Sequence, residues 1–205
     1  MHSLRHAVTA LTLLCLACIP VGADPAITKT YSYFTIGGMN GADLERELSM
    51  RGPIMDTTGF RHPGATRIRL GGSVDYQSAD GRCRVTKATV TLETHLTLPR
   101  WKNRNKASRD TVLVWDTLSS DIKRHEERHA EIARQYARKL EKALESLRPQ
   151  RDCKTMEVRV DATSKAIIEA HAADQQRFDR VEAASFERRM IRMLRYKAKQ
   201  RDSRS

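Results

Sequence analysis

Aromatic residues are scarce in this 205-residue chain, at 5%. With no stacking motif among them, the sequence lacks the platforms on which single-stranded nucleic acid is usually bound. A net charge of +12 therefore does not by itself make a nucleic-acid binder. No internal repeat or low-complexity segment appears, which excludes a repeat array. Beyond the first 23 residues no apolar run approaches the roughly 20 residues that cross a bilayer. Cysteine is also sparse, with four in all, and Cys15 and Cys18 lie within the first 23.

The beginning of the chain has the order of a secretory signal. Arg5 supplies the positive region, Ala7 to Ile19 the apolar region, and Val21-Gly22-Ala23 a small-residue cleavage site before Asp24. Residues 1–23 are thus expected to be a signal peptide, and the remainder to be exported. A lipid anchor on Cys18 is the less favoured alternative, because Cys15 stands where a lipoprotein signal usually has an aliphatic residue. After cleavage Cys83 and Cys153 remain, an even pair in an oxidising compartment. The expectation is a disulfide closing a loop of about 70 residues, worth roughly 4 kcal/mol in the chain-entropy model; two buried free thiols are the alternative.

Hydrophobic periodicity outlines the fold. Tyr31 to Ile36 reads as a strand, and Asn40 as the cap of a short helix that stops at Gly52-Pro53. Residues 53–64 read as loop. Ala65 to Leu70 and Ser73 to Gln77 look like strands, followed by a turn at Ser78-Ala79-Asp80-Gly81. From Arg84 to Leu98 apolar Ala88, Val90, Leu92, Leu96 and Leu98 alternate with polar residues, a strand with one wet face that includes His95. A helix is expected from near Asp110 to about Leu147, with Leu118, Ile122, His125, His129, Ile132, Tyr136 and Leu140 on one stripe. Arg148-Pro149-Gln150-Arg151 breaks it. Asp152 can cap a last helix running to about Tyr196. The class is α+β: a small antiparallel sheet packed on a pair of long antiparallel helices. Residues 24–187 form the domain and 188–205 a basic tail.

Chemistry concentrates at His125-Glu126-Glu127-Arg128-His129, which fits H-E-x-x-H. Residues four apart share one helix face, so both imidazoles can reach one Zn²⁺. Glu126, beside them, can take a proton from a zinc-bound water whose pKa falls to roughly 7. The plain alternative is a charged helix face, with Lys123/Glu127 and Arg124/Arg128 as ordinary neighbours. Two histidines on a buried stripe are, however, costly without a ligand or partner. Zinc with an open position needs a third protein ligand. Antiparallel helices joined by a short loop put residues equally far from the loop at similar heights. That argument favours His171, with Glu182 and Asp174 as rivals. The expected set is His125, His129 and His171 as ligands and Glu126 as general base, acting on a peptide or protein substrate.

A Tyr-rich first strand, Arg51-Gly52-Pro53, Gly64-Ala65-Thr66-Arg67, Gly81-Arg82-Cys83, Leu98-Pro99-Arg100-Trp101 and Trp115 are followed in order by His125-Glu126-x-x-His129. Over roughly Tyr31 to Phe186 this series resembles the bacterial predicted secreted zinc-dependent proteases, the domain of unknown function 922. The resemblance implies a zincin-like fold in an exported bacterial protein, in the periplasm or outside the cell. The competing expectation is a non-catalytic envelope protein, keeping the zinc site or a degenerate form of it. Its basic C-terminal residues would bind an anionic envelope surface.

Overall fold

The computed structural model describes residues 25–54 and 59–203. The expected signal segment, residues 1–23 with its cleavage site, lies outside the described residues. Strand β1 (Ala26–Ile36) leads into helix α1 (Gly41–Arg51). A hairpin of β2 (Ala65–Ala79) and β3 (Arg82–Trp101) follows. A single 3₁₀ turn at Arg104–Lys106 then precedes α2 (Arg109–Glu145) and α3 (Cys153–Asp202). Each α-helix starts on a side-chain cap. Asn40, Ser108 and Asp152 accept hydrogen bonds from the backbone N–H groups of Asp43, Thr111 and Thr155.

The α+β class and the antiparallel pairing of two long helices are as the periodicity predicts. The sheet is mixed rather than antiparallel. β3 lies in the middle of three strands, antiparallel to β2 and parallel to β1. The hairpin fixes the first pairing. Asp80 and Gly81 take φ of 52° and 69°, both in the left-handed region that a tight two-residue hairpin turn needs. β1 joins through residues 37–64, and a connection that long leaves its direction free. A continuous β2 replaces the two shorter strands expected there, since Gly71 and Gly72 stay paired with Thr91 and Val90.

Ala88, Val90 and Leu92 on the inner face of β3 pack on Ala133, Ala137, Leu140 and Leu144 of α2 and on Met156 and Val160 of α3. Burial of each large side chain contributes roughly 1.5–3 kcal/mol. A second cluster at the other end of α2 joins Ile36, Leu44 and Leu48 to Trp101 and Trp115. Cys83 and Cys153 are joined in a disulfide. Beside it Cys83 and Gln150 exchange two backbone hydrogen bonds of 2.8 Å. The α2–α3 connection is thereby drawn down onto the sheet.

Residues 188–202 do not leave the body as a separate tail. They continue α3 alongside the start of α2, where Arg201 meets Asp110 at 2.9 Å and Lys197 Nζ donates to the Asp116 carbonyl at 3.1 Å. Among the described residues no helix is long and apolar enough to cross a membrane.

Candidate metal centre

His125 and His129 leave α2 one turn apart and point at α3. Their Nε2 atoms lie 3.0 Å from each other. Asp179 of α3 completes a triangle, its Oδ1 standing 2.9 Å from His129 Nε2 and 3.3 Å from His125 Nε2. These are the edges expected of ligand atoms around one small cation. Bonds of 2.0–2.1 Å in a tetrahedral site put ligand atoms about 3.3 Å apart. Among the described residues this trio is the group of His, Cys, Asp or Glu able to hold a metal ion. The Asp179 side chain is 53% exposed, so the side away from α2 is open.

The protonation of His129 follows from one neighbour. Gln175 Nε2 donates to the His129 backbone carbonyl at 3.1 Å and to His171 Nε2 at 2.8 Å. Only the amide nitrogen can donate, so Oε1 must face His129 Nδ1, which it meets at 2.6 Å. His129 therefore carries hydrogen on Nδ1, and in the neutral ring its Nε2 presents a lone pair to the triangle. An orienting partner of this kind behind a ligating histidine is the usual support of a metal site. On His125 the Glu182 carboxylate stands 3.8 Å from Nδ1. Phe178 stacks on the His125 ring at 4.9 Å and meets His129 edge-on at 5.1 Å.

Electrostatics couples the three groups. Burial pushes the Asp179 carboxyl up, but hydrogen bonds from His125 and His129, and their charge, outweigh it and hold it well below the usual carboxylate range. Burial likewise lowers His129, yet its bonds to Asp179 and Gln175 leave it above the ordinary imidazole value. A cation at the centre of the triangle would compete with a proton for His129 Nε2.

Glu126 lies on the next helix face, only 5% exposed. Its Oε2 accepts from the Thr66 hydroxyl at 2.8 Å, and the same hydroxyl reaches the Glu126 carbonyl at 3.0 Å. Burial raises its pKa, partly offset by the Thr66 bond and by the charge of both histidines. Gly64 makes the close approach possible. A Cβ there would stand 2.8 Å from Ile122 Cγ2 and 2.9 Å from Glu126 Oε1.

The third-ligand candidates all lie elsewhere. His171 is buried, its Nε2 bonded to Gln175 and its ring against Tyr136 at 5.4 Å, so it supports the site from behind His129. Asp174 accepts from Tyr136 Oη at 2.7 Å and pairs with Arg177. Glu182 is held by Arg124 and Arg189. The height argument fails because it starts both helices level. The Cys83–Cys153 anchor puts the first turns of α3 on the sheet instead. The residue facing His125 then lies about two turns beyond the expected one. Asp179 carried a usable signal nonetheless: it is a carboxylate four residues after Gln175 and eight after His171, on the stripe that faces α2.

A family model described as bacterial protein of unknown function (DUF922) matches residues 31–186. The chain belongs to that family. No curated protein and no solved structure matches it. The family match starts within β1, covers α1, β2, β3, α2, the histidine pair and Asp179, and stops within α3.

Proposed function

We propose that this protein is an exported zinc-dependent peptidase, working in the periplasm or outside the cell. His125 and His129 through Nε2, and Asp179 through Oδ1, would hold the metal, and Glu126 would be the general base. The observation that carries this reading is the triangle of ligand atoms with edges of 3.0, 2.9 and 3.3 Å, with a buried glutamate beside it on the same helix. Zinc held there would supply Lewis acidity towards a carbonyl and towards water at neutral pH. The raised pKa of Glu126 brings it nearer the neutral range in which a general base works best. Gln175 fixes the tautomer of His129. Phe178 limits the rotation of both imidazoles.

Two histidines and one carboxylate also serve non-haem iron, so metal identity is part of the test. The full chain, purified without chelator, is expected to carry about one zinc and to cleave an unfolded reporter protein. His129→Ala and Asp179→Ala should lose most of the zinc. Glu126→Gln should keep the zinc and lose cleavage. Iron in place of zinc, or normal metal content in Asp179→Ala, overturns the assignment.

A second reading is a non-catalytic zinc-holding envelope protein. It is favoured by one observation, the near-complete burial of Glu126 with its Oε2 taken by Thr66. A zinc-loaded wild type that cleaves nothing, with cleavage unchanged from Glu126→Gln, would select it.

A further inference from the structure

The last third of α3 sorts its cations into two sets. Arg189, Lys197 and Arg201 turn inward. Arg189 forks onto Asp121 at 2.9 and 3.0 Å, Lys197 reaches the Asp116 carbonyl, and Arg201 pairs with Asp110. These three contacts fix the rotation of the helix against α2. Arg188, Arg192, Arg195 and Lys199 consequently share the opposite face, at a spacing of four, three and four residues. All four are exposed, and none makes an ion pair or side-chain hydrogen bond among the described residues. The row is about 16 Å long on a straight helix. Ile191 and Tyr196 flank it, 41% and 63% exposed. Its nearest acids do not neutralise it. Glu187 lies on the adjoining face, and Asp202 is taken by Arg201 at 3.5 Å.

We propose that this face docks the protein onto an anionic phospholipid bilayer. A straight row of unpaired cations matches a flat negative surface, to which juxtamembrane basic residues are attracted through their headgroups. Ile191 can enter the boundary between headgroups and acyl chains, and Tyr196 has the amphipathic ring that settles at that level. Nucleic acid fits less well, because Tyr196 is the one aromatic beside the row and offers no series of stacking platforms. Docked this way, α3 lies along the surface with Asp179, on its opposite face, turned away from the lipid. The proposal is independent of whether the metal reading holds.

The test is sedimentation of the full chain with vesicles of phosphatidylcholine containing about one third phosphatidylglycerol. Binding is expected at about 0.1 M salt and should be abolished near 0.5 M, where surface charge is screened. Arg188→Gln, Arg192→Gln, Arg195→Gln and Lys199→Gln combined should weaken it on the order of a few hundred-fold, since each cation at such a surface is worth about fivefold. Arg82→Gln, Lys87→Gln, Lys154→Gln and Lys165→Gln, an equal change of exposed charge on other faces of the protein, should leave it nearly unchanged. Circular dichroism on both variants checks the fold. No binding by wild type, equal weakening in the two variants, or tighter binding to a DNA duplex than to the vesicles would overturn the proposal.

Discussion

The α2–α3 pair is held in two different ways along its length. Near the interhelix connection the contact is apolar: Ala133, Ala137, Leu140 and Leu144 meet Met156 and Val160, with the Cys83–Cys153 link beside them. Beyond Tyr136 the same two helices meet through charge and hydrogen bonds: His125, His129, Gln175, Asp179, Glu182, Asp121, Arg124 and Arg189. Methyl groups attract without direction and tolerate small shifts of one helix past the other. Polar contacts are directional, and each fails within a few tenths of an ångström. The apolar end supplies stability and the polar end supplies position. A ligand triangle spanning two helices needs both, since a sliding α3 would carry Asp179 away from the histidines.

The largest test of that division is removal of the covalent anchor. Cys153→Ser opens a loop of 70 residues and should cost about 4 kcal/mol of unfolding free energy, read by urea denaturation. Zinc content of the folded fraction should stay near the wild-type level. Loss of zinc before any loss of fold would show that the anchor, and not the polar contacts, sets the ligand positions. A smaller cost is expected at the polar end. Arg189→Ala leaves Asp121, which is 4% exposed, with only Arg124 as partner, and should destabilise by about 3 kcal/mol. Replacing both partners, Asp121→Leu with Arg189→Met, should recover most of that loss, because two buried charges then disappear together. A double variant as unstable as Arg189→Ala would mean that the pair adds net stability and not merely orientation.

The two ends also differ in how far the sequence revealed them. The strand from Arg84 to Leu98 and the stripe through Ile122, Ile132 and Leu140 are periodic signals summed over many residues, and they place the apolar end well. The H-E-x-x-H spacing is local to one helix, so His125 and His129 share a face whatever α3 does. Asp179 depends on the offset between two helices. That offset is set by where Gln150 and Cys153 attach to Cys83, a contact between residues far apart in the chain. No periodicity within α3 encodes it. The same is true of β1. Its residues announce a strand, but its parallel pairing with β3 is decided by what is left after the hairpin has formed.

The smallest expected effect separates position from stability at a single residue. Burial raises the pKa of Glu126, with the Thr66 hydroxyl and the two histidines opposing only in part. A carboxyl that binds its proton more tightly when folded costs nothing below its unfolded pKa of about 4.5. As pH rises from there towards the folded value the penalty accumulates, because only the unfolded carboxyl ionises freely, and above the folded value it is complete. Glu126→Gln keeps the shape and can still accept from Thr66, but cannot ionise. Metal-free Glu126→Gln should therefore match the wild type near pH 4 and exceed it in unfolding free energy at neutral pH, the difference growing as pH rises. Chelator-treated samples compared by urea denaturation across that range would measure it. If the variant is less stable than wild type at neutral pH, the Glu126 carboxylate is well satisfied where it lies. It would then be a structural buttress between α2 and β2, and the general base would have to be sought elsewhere.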